Sequence, residues 1–321
     1  MASGDESIVL QELTVRAFAK VNFTLDVFSK RPDGYHGIAS VMQAISISDT
    51  IDLRQTNEPG VHFTCDGQES EGIPLDDTNL VVRAAKATLQ LGDAADRGVV
   101  IHLNKSLPSQ AGLGGGSSDA AATIVGVDRL FHLNLPQTVK LEIAAELGSD
   151  VPFFLLGGTA VARGRGELLS PASHPAPLFW LVIVKPEENV STGWAYGALD
   201  SDPERSSNRG TKRLEQALAD TSDPTDAFDL VVGRMCNDFE LPVFSHYPKL
   251  AWLNDELQMA GCRTARLCGS GSAMFGVVAT ETEANRIATL LRARYTKVFV
   301  ARTLDARESD PLIGLTDGVT V

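Results

Sequence analysis

Between Leu107 and Asp119 the chain reads Leu-Pro-Ser-Gln-Ala-Gly-Leu-Gly-Gly-Gly-Ser-Ser-Asp, after the alternating run Val99 to Asn104 and before the alanine-rich pattern Ala120 to Leu130. The order is strand, glycine loop, helix. Gly112, Gly114, Gly115 and Gly116 let a backbone approach a ligand with no Cβ in the way. A helix opening on such a loop offers unsatisfied N–H groups and the positive end of its dipole, which suits phosphate. The overall charge makes a local device necessary. With 28 basic and 41 acidic residues the net charge is -13, a field that repels polyphosphate backbones and anionic lipid. Nucleic acid and membranes are therefore not expected partners, and a phosphorylated ligand must be held by backbone amides and one or two lysines. The loop fits neither G-x-x-x-x-G-K-[ST], because no lysine follows the glycines, nor G-x-G-x-x-G, because Ser117 takes the third glycine's place. The protein-kinase motifs H-R-D and D-F-G are absent as well.

At 321 residues, 43% hydrophobic and 21% charged, the chain is an ordinary folded protein of about two domains. Cys65, Cys236, Cys262 and Cys268 show no C-x-x-C spacing, so free thiols rather than a metal site are expected. Met1 to Glu12 is acidic where a targeting peptide would be basic, and no apolar run approaches a membrane span, which points to the cytoplasm. From Leu13 to Val27 every odd position is apolar, a strand that puts Lys20 and Asn22 together on the face opposite the buried one. Pro32-Asp33-Gly34 then signals a turn. Thr78 is the expected N-cap of a helix over Asn79 to Leu91, stopped by Gly92. A helix over Gln137 to Leu147 ends at Gly148 and leads into Ser149-Asp150-Val151-Pro152. The Pro/Ala/Ser stretch Pro171 to Pro177 marks a domain boundary, followed by a strand over Phe179 to Val184. Residues 200 to 226 read as an irregular loop with a short helix inside. Helices over Lys249 to Met259 and Thr282 to Tyr295, strands flanking Gly269-Ser270-Gly271-Ser272, and a strand over Val298 to Arg302 follow, with a loose tail after Leu304. The fold class is α/β (α+β).

Set beside its neighbours, Pro108-x3-Gly112-Leu113-Gly114-Gly115-Gly116-Ser117-Ser118-Asp119 resembles the signature of the GHMP small-molecule kinases, whose ATP phosphates lie over such a loop. More narrowly, Ala19-Lys20-Val21-Asn22, Lys30-Arg31-Pro32-Asp33-Gly34-Tyr35-His36, Gly148-Ser149-Asp150-Val151-Pro152-Phe153-Phe154 and Gly269-Ser270-Gly271-Ser272 are similar to the branch that phosphorylates a hydroxyl on the methylerythritol portion of a cytidine diphosphate conjugate, in non-mevalonate isoprenoid synthesis. The resemblance runs from about Val15 to Val278. It implies a two-domain GHMP kinase fold: a ribosomal-protein-S5-like ATP-binding domain over 1–172, a C-terminal α/β sandwich with a mostly antiparallel sheet over 177–303, and a tail over 304–321.

By the same resemblance Asp150 takes the proton of the acceptor alcohol and Lys20 lies beside it to stabilise developing charge. Taken alone, Asp150 also suits a helix cap and Lys20 a solvated strand face. ATP is the implied co-substrate, held along Pro108, Gly112, Leu113, Gly114, Gly115, Gly116, Ser117 and Ser118, with Lys105 near the phosphates and Asn79 near the adenine. Mg2+ is expected to bridge phosphate oxygens, with no protein ligand assigned. At the cytidine end the implied residues are Asn22, Tyr35, His36, Thr192 and Tyr196, with the base between two aromatic rings and His36 reading its edge. Trp194 competes with Tyr196 for the second ring, and core packing is open for either. Two departures stand out: Phe18 where the family has Pro before Ala-Lys, and Cys268 where Ser often precedes Gly-Ser-Gly-Ser. A kinase for another small alcohol and a silent nucleotide sensor are the alternatives. Tyr35-His36 argues against the first, and the retained Lys20 and Asp150 against the second. A monomer or weak homodimer is expected.

Overall fold

The apolar alternation from Leu13 becomes strand β1 (Glu12–Lys30), which turns through Gly34 and pairs antiparallel with β2 (His36–Thr56). The turn closes with Gly34 N–H donating to Arg31 O, and Gly34 takes the positive φ of +85° that glycine accepts without strain. This is a computed structural model, and it describes residues 11–201, 210–220 and 224–313.

The chain continues through β3 (Gly60–Asp66), α1 (Leu80–Leu91), β4 (Gly98–Asn104), α2 (Gly115–Leu130), α3 (Gln137–Leu147), α4 (Val151–Leu156), β5 (Thr159–Arg163) and β6 (Leu168–Pro171). It then runs through β7 (Trp180–Val184), α5 (Thr192–Asp200), α6 (Gly210–Asp220), α7 (Pro224–Val232), β8 (Cys236–Asn237), α8 (Glu240–His246), α9 (Pro248–Met259), β9 (Thr264–Leu267), β10 (Met274–Val278), α10 (Glu281–Leu291) and β11 (Val298–Arg302). The first sheet runs β3-β4-β2-β1-β8, with β5 on β2 and β6 on β5. The second runs β11-β7-β10-β9, with antiparallel pairing throughout, as the C-terminal expectation required.

Strict alternation along β1 does not survive. The β1–β2 register breaks between Phe18, opposite Ser48, and Ala19, opposite Ile45, a two-residue irregularity on β2 that interrupts the pleat. Val15, Ala17 and Phe18 pack toward α2, whereas Ala19, Val21 and Phe23 join Leu181, Ile183, Phe275 and Val277 of the second sheet. Lys20 and Asn22 are therefore turned to the side where α2 begins. That face is not solvent, as expected from alternation alone, because both residues are buried.

The second sheet is covered twice. Leu181 and Ile183 face the first sheet, while Val182 and Val184 face the helical layer with Leu250, Leu253, Ile287 and Leu291. A strand buried on both sides has to be apolar at every position, which is why 180–184 reads Trp-Leu-Val-Ile-Val. The two halves share this core. β8 joins the first sheet parallel to β1, and Thr303 bridges Ile45.

Three sequence readings need correction. The N-cap of α1 is Asn79, whose Oδ1 accepts from Val81 N–H, and not Thr78. Within 200–226 two helices form, α6 and α7, while 202–209 and 221–223 lie outside the described residues. The segment after Leu304 is no loose tail as far as Ile313: Leu304 N–H donates to Ala44 O, Gly158 N–H to Ser309 Oγ, and Arg16 N–H to Pro311 O. All four cysteines are free thiols.

Candidate active site

Helix α2 starts at Gly114, whose φ of +75° places it in the left-handed region, and no side chain caps its amides. Leu113 O accepts from Lys20 N–H at 3.0 Å, so the loop is sewn to β1 just where Lys20 projects. A Cβ on Gly114 would stand 3.2 Å from Lys20 Cε and 2.7 Å from Phe154 Cζ. Gly112 has its own constraint, since a Cβ there would run into the carbonyl of Cys268. Ala273 N–H reaches back to Ala111 O at 3.3 Å, so the glycine loop leans on the Gly269–Ser272 loop of the second half.

Between them opens a cleft of about 980 Å³, the size of a small-molecule site. Lys20, Asn22, Asp150 and the loop from Pro108 to Ser117 line it at one end, and Tyr35, His36, Thr192 and Tyr196 at the other. Lys20 Nζ donates to Asn22 Oδ1 at 2.8 Å and lies 3.4 Å from Asp150 Oδ2. Asn22 in turn donates to Ser40 Oγ at 2.8 Å, so its amide fixes the ammonium laterally. Asp150 precedes α4, but its side chain makes no cap hydrogen bond and is 39% exposed to the cleft. The capping alternative therefore fails, and the carboxylate is available for chemistry. Lys20, at 4% exposure, is likewise no solvated strand residue.

Asn79 and Lys105 line the cleft with the glycine loop and Ser118 does not, and all three are engaged by protein partners. Ser118 is buried, its hydroxyl donates to Phe18 O at 2.5 Å and its N–H to Gly114 O at 2.9 Å, so neither group is offered to the cleft. Asn79 lines the cleft, yet its side chain is engaged by Val81 N–H and by Pro74 O. Lys105 is buried and donates to Asp49 Oδ2 at 2.5 Å and Asp119 Oδ2 at 2.6 Å, two carboxylates that sequence reasoning missed. They come from β2 and α2, and no local pattern links them.

At the far end His36 Nε2 pairs with Asp200 Oδ1 at 2.8 Å, and its ring stacks on Tyr196, centroids 4.6 Å apart and planes at 22°. Phe239 meets Tyr196 edge-on at 4.9 Å. Trp194, the rival ring, packs instead against His246 and Tyr247 and does not line the cleft. Tyr35 is 57% exposed, with the Arg165 guanidinium 5.0 Å from its centroid. Thr192 Oγ1 and Ser270 Oγ meet at 2.9 Å, tying the start of α5 to the second glycine loop. Asp200 was within reach of the sequence: it lies one helical turn beyond Tyr196 on α5.

The GHMP kinases N terminal domain family matches residues 79–158, and the GHMP kinases C terminal family matches 217–297. The 4-diphosphocytidyl-2-C-methyl-D-erythritol kinase of Geobacter sulfurreducens is 38% identical over 296 residues, covering 92% of this chain and 100% of that protein. The chain belongs to the 4-diphosphocytidyl-2-C-methyl-D-erythritol kinase family. The Moorella thermoacetica member of that family is 40% identical over 294 residues, 91% of this chain and 99% of its own. A solved 4-(cytidine 5'-diphospho)-2C-methyl-D-erythritol kinase superposes with a TM-score of 0.74 at 32% identity, covering 91% of this chain and 99% of that one. Homoserine kinase from Cytophaga hutchinsonii, at 19% identity and a TM-score of 0.71 over 93% and 96% of the two chains, shares the GHMP fold.

Proposed function

We infer that the protein transfers the terminal phosphoryl group of ATP to a hydroxyl of 4-diphosphocytidyl-2-C-methyl-D-erythritol, yielding the 2-phosphate and ADP in the methylerythritol phosphate route to isoprenoid precursors. The observation that carries this reading is the Lys20–Asp150 pair standing at the mouth of α2. Phosphoryl transfer asks the protein for alignment, charge neutralisation and a proton acceptor, and little else. The bare amides of Gly114 to Ser117 and the dipole of α2 receive the phosphates. Asp150 accepts the alcohol proton as the oxygen attacks the γ-phosphorus, and Lys20, steadied by Asn22, offsets charge building on the transferring group.

At the other end Tyr35 and Tyr196 supply the rings for cytosine, and His36, held by Asp200, faces its edge. Mg2+ would travel with the triphosphate and neutralise its oxygens. Its charge would suit the anionic oxygens of the triphosphate, and no protein ligand is assigned to it.

Among the described residues no helix is long and apolar enough to cross a membrane. We place the enzyme in the cytoplasm as a monomer or weak homodimer whose partners are ATP and the cytidine conjugate, and its net charge of -13 disfavours nucleic acid. A coupled ADP-release assay tests the function: turnover is expected with the diphosphocytidyl substrate, and turnover with mevalonate or homoserine in its place would favour another alcohol. The exposed Tyr35 ring and His36, both lining the far end of the cleft, favour the first outcome, because a small acceptor without a base has no use for them.

A further inference from the structure

Lys105 looks, by sequence, like a phosphate ligand, and it lines the cleft beside Gly115, yet its ammonium is already paired with two carboxylates. Asp49 Oδ2 and Asp119 Oδ2 accept from Nζ at 2.5 and 2.6 Å, and all three side chains are almost completely buried. Asp49 does more. Its Oδ1 accepts from Ser106 N–H at 2.6 Å and from Leu107 N–H at 2.7 Å, the residues that lead into the glycine loop. One carboxylate on β2 thus grips the loop's entry, and through Lys105 it grips Asp119 in the second turn of α2, beyond the loop's exit.

We propose that Asp49 is a positioning residue for ATP, presetting the phosphate loop at both ends, and that Lys105 acts on the triphosphate through this anchor and not by touching it. The inference rests on the reading of the loop as an ATP site. Its physical basis is preorganisation: amides already aimed need no reordering when the anion arrives. A free, mobile lysine would give long-range attraction but would leave the glycine backbone to find its own shape, and glycine loses the most conformational freedom on ordering. The anchor is also electrically quiet. Lys105 balances one carboxylate, and burial disfavours charge on the second, Asp119, so little repulsion is aimed at the incoming phosphates.

The two roles separate in a double-mutant cycle on affinity for a non-hydrolysable ATP analogue with Mg2+, measured by calorimetry. Asp49→Asn and Lys105→Met are each expected to weaken binding by about tenfold or more. The double variant should be no more than a few-fold worse than either single variant, while affinity for cytidine diphosphate stays within about twofold. Asp49→Asn that binds the analogue like the wild type, or effects that multiply in the double variant, would overturn the anchor. A wild type that binds the analogue nowhere would instead sink the kinase reading and this inference with it.

If the variants do not fold, amide exchange in the wild type decides. The Ser106 and Leu107 amides should be protected before nucleotide is added. Protection that arises only with nucleotide contradicts a preset loop.

Discussion

Lys20 Nζ and Asp150 Oδ2 stand 3.4 Å apart, one buried on β1 and the other on the turn before α4, where a Cβ on Gly114 would nearly touch the lysine stem. An ammonium, a carboxylate and a glycine loop at a helix start share one corner of the cleft. Asp150→Asn keeps the shape and removes the acceptor. Turnover should fall by about 10²- to 10⁴-fold, with ATP-analogue affinity within a few-fold, as read by steady-state kinetics beside calorimetry. Retained kcat would remove Asp150 from the role assigned to it.

The aromatic end makes a prediction with an internal control. Stacking on one ring is worth about 1 to 3 kcal/mol, so Tyr35→Ala and Tyr196→Ala should raise KM for the cytidine substrate by roughly five- to hundredfold and change kcat less. Trp194→Ala, whose ring lies against His246 and Tyr247, should leave KM near the wild-type value. The reverse pattern would make Trp194 the stacking ring.

Asp119 predicts a pH effect on stability. Burial in the α2–β2 interior pushes its carboxyl up to about 8, against the pull of Lys105. The folded state then holds the proton more tightly than the unfolded one. The contribution is complete below the ordinary value of 3.8 and is lost as pH rises through about 8. Burial works to lower the Lys105 value, but Asp119 and Asp49 together outweigh it and leave it raised, so the lysine does not titrate in this window. The melting temperature should therefore drop by a few degrees between pH 6 and pH 9. Asp119→Asn, neutral throughout, should flatten that drop, and an unchanged slope in the variant would contradict the assignment.

Gly114→Ala tests the cradle. At φ +75° any side chain is strained, and this one would sit 2.7 Å from Phe154 Cζ, a ring packed against Phe153. A left-handed alanine costs about 1 to 2 kcal/mol, and the displaced loop should raise KM for ATP by at least tenfold with little change in KM for the cytidine substrate. Equal effects on both substrates would mean a general loss of structure.

Much of this site was legible because its pieces are local. The glycine run before an alanine-rich helix announces α2, and the apolar alternation announces β1 with Lys20 and Asn22 two residues apart on one face. What escaped depends on tertiary context. The register break between Phe18 and Ala19 is invisible in an unbroken apolar pattern, yet it marks where the odd positions of β1 pass from the α2 layer to the second sheet. The β2 strand, 21 residues long and mixed in polarity, gives no clean period because its cover changes along its length. Lys105 reads as a free cation until β2 and α2 bring in Asp49 and Asp119, 56 and 14 residues away. Tyr196 and Trp194 are two residues apart in the sequence, and only the docking of α5 sends one to the cleft and the other to α8 and α9.

The most direct test is a structure of the enzyme with an ATP analogue and 4-diphosphocytidyl-2-C-methyl-D-erythritol bound together. The account predicts the acceptor hydroxyl within hydrogen-bond reach of the Asp150 carboxylate, roughly 2.6 to 3.2 Å, with the γ-phosphate over Gly114 to Ser117 and cytosine against Tyr35. An acceptor oxygen beyond reach of Asp150, or a triphosphate seated away from that loop, would contradict it.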